Sequence, residues 1–298
     1  METPKRNALL GDIIDIEAGN IFGLFKKWYE RTEEIGHEPK DGDGHYCLVC
    51  DGIVRKREKG STHAEDEATT EMRWEQDKKR VAFLIKDENQ KGSIWADDTR
   101  NWLVETPADN TPEKLKVKQN SWDLKRKFLR NIANILWGIT NCTPTNPCPA
   151  SEIHSNLKEI KDAFQDTPFA LIECKKQGGK PSISDKTLEK YLNDYKELLY
   201  KEFDILEPHI YVCTNEKIYD FVQAYILTRY PNTELIRIHP EKHNRIRLHY
   251  PSRSIILWSY HPSARMSYED IYNGVMDHYR TFVQDEKLYS KIFYITVH

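Results

Sequence analysis

Glu173-Cys174-Lys175 sets a carboxylate and an amine two residues apart, directly after the apolar run Pro168–Ile172. An acid so placed can ligate a divalent metal while the lysine helps to activate water, provided that Asp162 or Asp166 supplies a second ligand. The cysteines suggest a different metal chemistry. Cys47 and Cys50 form a C-x-x-C pair, and Cys142 and Cys148 are separated by five residues. Thiolates at such spacings can meet on zinc or an iron–sulfur cluster. Cys142/Cys148 lacks the tight knuckle spacing, however, and Cys174 and Cys213 fall in apolar runs, so the expectation is ordinary buried thiols and no metal. Two basic stretches suit contact with phosphate. Residues 111–130 carry seven bases against Glu113 and Asp123, and residues 236–253 carry Arg237, Lys242, Arg245, Arg247 and Arg253 against Glu241. Taken alone, either stretch is better explained as a solvated helix or loop.

The chain that must position these groups has 298 residues, 44 Lys+Arg against 47 Asp+Glu, and a formal charge of -3. With 39% hydrophobic and 31% charged residues it can build a core beneath a well-solvated surface, which excludes disorder as the dominant state. No apolar stretch approaches the roughly 20 residues that span a bilayer. The opening Met-Glu-Thr-Pro-Lys-Arg leads into no apolar leader, so a soluble, cytoplasmic protein with no membrane partner is expected. Six cysteines in such a length do not describe a disulfide scaffold.

Four short runs, Arg80–Ile85, Pro168–Ile172, His209–Cys213 and Ser254–Ser259, are continuously apolar rather than alternating, the pattern of strands buried on both faces. Glu234–Ile238 is a weaker strand candidate. Helical spacing marks Asn20–Glu34, Trp122–Trp137, Leu188–Leu206, Ile218–Tyr230 and Tyr268–Val283. Strands separated by helices predict an α/β fold of three layers, a short central parallel sheet flanked by helices. The expected organisation is a helical extension over residues 1–79, packed on an α/β domain over residues 80–298.

In such sheets functional residues collect just beyond the carboxyl ends of the strands. There the sequence has Lys86-Asp87-Glu88-Asn89-Gln90, Glu173-Cys174-Lys175, Cys213-Thr214-Asn215 and Ser259-Tyr260-His261-Pro262-Ser263-Ala264-Arg265. This arrangement, over about Val81 to Val283, resembles the uracil-DNA glycosylase superfamily, with its polar water-activating loop after the first core strand and a His-Pro-Ser loop after the last. Asp51-Gly52-Ile53-Val54 and Trp122-Asp123-Leu124 are similar to segments in poorly characterised branches of that group.

The resemblance implies a monofunctional DNA glycosylase that flips a nucleotide, hydrolyses its base–sugar bond without a cofactor and leaves an abasic site. His261 takes the place of the base-stabilising histidine. Asp87 or Glu88 orients the attacking water, with Asn89 and Trp95 on the base side of the same loop; the proline usual in this loop is missing. Ser263 contacts a neighbouring phosphate, Arg265 fills the gap left by the flipped nucleotide, and Lys175, Arg245 and Arg247 contribute to a DNA-binding face. Lys86 and Lys175 keep open an amine nucleophile.

Glu173 stands where the uracil enzymes have an asparagine. A carboxylate only accepts hydrogen bonds, so it repels uracil O4 and suits the N4 amino group of cytosine. The first loop also has Gln90, or a neighbour, where the main branch sets a tyrosine against C5. The implied substrate is therefore a cytosine-type base, including C5-modified ones such as occur in phage DNA, which would make the enzyme a defence against invading DNA. Two other functions compete. One is a metal-dependent nuclease, since Glu173-x-Lys175 matches half of the PD-(D/E)-x-K signature. The other is a DNA-binding module without catalysis.

Overall fold

The computed structural model describes residues 21–36, 48–58, 64–87, 99–101, 103–104, 123–177, 183–236, 246–250 and 252–293. In chain order the first elements are helix α1 (Ile21–Glu34), strand β1 (Gly52–Ile53), helix α2 (Glu67–Gln76) and strand β2 (Val81–Asp87). Helices α3 (Lys127–Asn141), α4 (Glu152–Ser155) and α5 (Leu157–Asp166) then lead to β3 (Phe169–Lys175). Next come α6 (Asp185–Asp194), α7 (Lys196–Leu206), β4 (Ile210–Cys213) and α8 (Glu216–Arg229). The last described elements are β5 (Glu234–Ile236), β6 (Ile246–Tyr250), β7 (Ser254–Trp258), α9 (Tyr268–Gln284) and α10 (Glu286–Phe293).

The four apolar runs form the parallel centre of one sheet, whose full order is β1-β3-β2-β4-β7-β6-β5. Val81 lies between Phe169 and Ile210, and Ile210 is paired in turn with Ile255. This corrects the expectation of a short, parallel sheet: among the described residues there are seven strands, and both margins are antiparallel. Between β6 and β7 the cause is connection length. A parallel crossover needs about a dozen residues, whereas residues 251–253 alone join β6 to β7. Arg253 turns that corner at φ 57°, in the left-handed region.

Side chains alternate between two apolar layers. Phe83, Leu171, Val212 and Leu257 meet α3, α5, α9 and α10 on one face. Leu84, Ile172, Tyr211 and Ile256 meet α1, α2, α6, α7 and α8 on the other. The first eighty residues thus contribute an edge strand as well as helices. Trp28 of α1 is fully buried, and its Nε1 donates to the Tyr191 hydroxyl at 2.9 Å. The expected single helix over Leu188–Leu206 is broken at Tyr195, whose ring stacks on Trp28 and Tyr191 with centroids 5.7 and 4.1 Å apart. Helical periodicity runs straight through this point, and only the packing of α1 shows the break. Among the described residues no helix is long and apolar enough to cross a membrane.

Helix α3 is buried from Leu129 to Ile139 because α5 and α9 flank it. Gly138 is where α9 approaches most closely: a Cβ there would lie 2.6 Å from the Tyr272 hydroxyl oxygen and 2.9 Å from Met276 Sδ. That hydroxyl is held in place by donating to the Cys148 carbonyl at 2.7 Å. Gly138→Ala is therefore expected to destabilise the fold by about 1–3 kcal/mol through overpacking, outweighing the ~1 kcal/mol that helix propensity returns. A urea denaturation midpoint equal to or above wild type would contradict this.

Candidate functional site

The chain leaves β2 towards β3 and leaves β4 towards β5, on opposite sides of the sheet, so the carboxyl ends of β2 and β4 flank the topological switch point, where open α/β sheets place their ligand crevice. Backbone bonds draw the surrounding loops together. Thr214 donates from its amide and hydroxyl to the Leu84 carbonyl at 3.0 and 2.9 Å, and Ser259 donates to the Cys213 carbonyl at 2.8 Å. Three helix N-termini lie at this end, each capped by a side chain: Ser184 on α6, Asn215 on α8 and Ser267 on α9.

His261 follows β7 in a loop clamped onto the start of α3. Asn131 donates to the Pro262 carbonyl and Lys127 to that of Met266, both at 2.7 Å. The Ala264 amide closes a turn onto the His261 carbonyl at 2.8 Å. The imidazole is half-buried, 6.0 Å from the Phe128 ring between centroids. Its Nδ1 accepts the Ser263 amide hydrogen at 3.1 Å. That bond assigns the tautomer: Nδ1 is the acceptor, so Nε2 carries the proton. Burial, and secondarily the Lys86 ammonium, push the pKa below its ordinary value, so the ring is neutral at physiological pH. The result is a preorganised, uncharged N–H donor at the end of the last parallel strand.

Lys86 is a site residue for which the sequence assigned no definite role. Its ammonium contacts Asp185 Oδ1 at 2.9 Å, and the same oxygen accepts from Asn215 Nδ2 at 3.1 Å. Asp185 thereby ties together the ends of β2, β4 and α6. The signal available in the sequence was position alone, Lys86 and Asn215 both closing apolar strands and Asp185 following a helix cap.

Asp87 is the last residue of β2, opposite Lys175 in the register. Glu88, Asn89, Trp95 and Arg245 lie outside the described residues. Glu173 is fully buried, its amide donating to Asp51 Oδ2 at 2.5 Å. Lys175 turns back on its own segment to bond the Gln177 carbonyl. Ser263 and Arg265 are exposed beside the histidine. Arg247 pairs with Asp220 at 2.9 Å and lies 4.2 Å over the Tyr219 ring, tethering β6 to α8.

The basic run of residues 236–253, expected on one face with the His-Pro-Ser loop, is divided by the fold. Of its described arginines, Arg247 is paired with Ile256 in the middle of β7, while Arg253 precedes the amino end of that strand; Arg237 and Lys242 lie outside the described residues. Five residues of strand put Arg253 about 16 Å from the site. The other run is divided too. Arg130 is buried against the Ile153 carbonyl at 2.6 Å, while Lys125 and Arg126 stay exposed.

Among the described residues, no group of three or more His, Cys, Asp or Glu is arranged to hold a metal ion. Cys142 and Cys148 are buried free thiols whose pKa values burial pushes up, that of Cys148 to about 12. Asp162 pairs with Lys158 at 3.4 Å on α5, and Asp166 ends that helix before the amino end of β3. From Phe169, where β3 begins, to Glu173 is about 13 Å of strand. A cavity of about 420 Å³ does exist, but it lies at the amino-terminal end of the sheet, lined by residues such as Ile53, Trp74, Arg80 and Leu206. Its Arg80 is engaged with His209 at 2.8 Å, and its Arg55 with the Glu65 carbonyl at 2.6 Å. The strand-end crevice therefore holds the more reactive arrangement. No known family model, curated protein or solved structure matches the chain.

Proposed function

We propose that this protein is a DNA glycosylase of the uracil-DNA glycosylase type. It flips a nucleotide from DNA and hydrolyses its N-glycosidic bond, leaving an abasic site. The observation that carries the reading is the state of His261, neutral, with Nδ1 accepting from the Ser263 amide and Nε2–H free of that bond. As the glycosidic bond breaks, negative charge collects on the departing base, and a fixed N–H donor aimed at a base oxygen stabilises that charge. A crevice at the switch point, lined by the end of β2 and the buried Glu173, suits an extruded base. Asp87, or Glu88 beyond it, orients the attacking water. The fully buried carboxylate at the end of β3 favours a cytosine-type base, C5-modified ones included, over uracil.

The nuclease reading is weaker because Asp162 and Asp166 stand at the wrong end of β3 to join Glu173 on a metal. One experiment separates the readings. DNA carrying cytosine, 5-modified cytosines or uracil is incubated with the protein in EDTA, and free base is measured by mass spectrometry. Release of base with alkali-labile sites is expected. Direct strand cleavage that needs Mg²⁺, or binding without either product, would overturn the proposal.

DNA contact at the His-Pro-Ser loop has its own signature. Arg265→Ala is expected to weaken binding and to reduce the slope of log K against log salt by about one unit, the effect of one lost phosphate contact. Arg253→Ala, at the far end of β7, is expected to leave that slope unchanged. Equal slopes for Arg265→Ala and wild type would remove this loop from the interface.

A further inference from the structure

The carboxyl end of β3 is irregular, and the irregularity is held by charge. Gly52 pairs with Leu171, and farther along Leu48 pairs with Gln177. Between those two pairs lie residues 172–176 on one side but only residues 49–51 on the other, so β3 bulges around Glu173. Bulges re-aim side chains and recur beside active sites. Here the bulge displaces ladder bonds. The Cys50 carbonyl, which regular pairing would turn towards Glu173, instead accepts from the Thr99 amide and hydroxyl at 2.9 and 3.2 Å. The Glu173 amide is taken by a side chain, Asp51 Oδ2, at 2.5 Å.

Asp51 is fixed in turn. Lys176 Nζ lies 2.6 and 2.5 Å from its two oxygens and 3.0 Å from Glu202 Oε1, and all three residues are fully buried. The ammonium also lies 5.0 Å over the Trp28 ring, and the Lys176 amide donates to the Tyr191 hydroxyl at 3.2 Å. Two ionised carboxylates around one ammonium would leave a net negative charge without water, which is strongly unfavourable. Burial, reinforced by the Asp51 charge, holds Glu202 well above the usual carboxylate range, so it is the neutral acid. Lys176, despite a burial that opposes its charge, is held charged by the Asp51 carboxylate and by its hydrogen bond to Glu202. The cluster is then a single ion pair with a neutral third member.

We propose that Asp51 and Lys176 are positioning residues for Glu173: they lock the bulge at the end of β3 and so present the Glu173 carboxyl group to the base. The proposal rests on the glycosylase reading for what Glu173 touches, but the locking itself is independent of it. Neither residue contacts substrate. Their chemistry is to supply a side-chain acceptor in place of the backbone carbonyl that the broken ladder lacks, and to balance its charge. The stretch Asp51-Gly52 allows this, since Gly52 adopts φ 126°, a conformation that side-chain-bearing residues rarely take.

The test combines amide exchange with base selectivity. In the wild-type protein the Glu173 amide is expected to exchange slowly and to resonate far downfield, as a short bond to a carboxylate requires. Ordinary shift and rapid exchange would overturn the locking. Single substitutions of Asp51 or Lys176 strand a buried charge and can unfold the chain, so the decisive variant is the charge-balanced Asp51→Leu/Lys176→Met. Apolar replacement of a buried pair usually preserves a fold. In that variant the Glu173 amide is expected to lose its protection, with kcat/KM on the preferred base falling about 100-fold and discrimination between bases collapsing. Glu202→Gln keeps a neutral donor of the same shape, and wild-type exchange and selectivity are expected. A folded double variant with a protected Glu173 amide and unchanged selectivity would overturn the proposal, as would loss of Glu173 protection in Glu202→Gln. If protection behaves as expected while no DNA base is released even by wild type, the locking stands and the glycosylase reading fails.

Discussion

Replacing His261 with alanine is expected to slow single-turnover base release by roughly 100- to 1000-fold, about 3–4 kcal/mol of transition-state stabilisation, with DNA affinity nearly unchanged. The asymmetry follows from when the interaction matters. The Nε2–H acts on charge that is absent from the bound substrate and appears only as the bond breaks, so its loss raises the barrier without weakening the ground state. His261→Gln restores an uncharged donor on a more flexible stem and should recover part of the rate. The pH profile supplies a second check. Burial and Lys86 hold the folded-state pKa below the ordinary value, so the ring stays neutral as pH falls through 6.5 and protonates only further down. Protonation also opposes the Ser263 amide bond at Nδ1. Activity should therefore decline only on the acid side of the unperturbed histidine range, and Lys86→Met should move that decline upward in pH. A His261→Ala enzyme with near-normal single-turnover release would remove the assigned role.

Glu173→Asn is expected to exchange one base preference for another. A buried carboxylate can accept from the N4 amino group of cytosine, and with a proton on its second oxygen it can donate to N3. With the proton held on the oxygen that faces N3, the other oxygen only accepts and has nothing favourable to offer uracil O4. The asparagine amide reverses the pattern, donating to O4 and accepting from N3–H. Because the site is dry, the mismatch leaves buried polar groups unsatisfied, and discrimination by such sites reaches at least about 100-fold. Release of cytosine-type bases should fall by that order and uracil release should appear. Efficient uracil release by wild type, with no activity on any cytosine-type base, would remove Glu173 from base reading. Because the side chain is fully buried, melting temperatures of both proteins must accompany the kinetics.

The sequence by itself determined the centre of this molecule. Phe169–Ile172 and Ser254–Trp258 are apolar without interruption, and only a strand covered on both faces satisfies that pattern. Their lengths and the helical stretches between them led to α/β layering, and the strand-end rule led to His261 and Glu173. The tertiary structure decided what depends on distant partners. At the antiparallel margins β5 fell on the weaker strand candidate Glu234–Ile238, but β1 is only two residues long and β6 lay inside a stretch read for its charge, so neither strand nor its direction was legible. The break at Tyr195 is made by Trp28, 167 positions earlier in the chain. The tautomer of His261 follows from a backbone amide two residues on, and its neutrality from burial, reinforced by the Lys86 charge at the end of another strand. The separation of Arg247, beside the middle of β7, from Arg253, before its amino end, follows from strand direction, which charge composition does not contain. The ion pair of Asp51 with Lys176 joins residues 125 positions apart. Local pattern reports which faces are apolar, whereas a buried charge survives only beside its partner, and that partner is supplied by the fold.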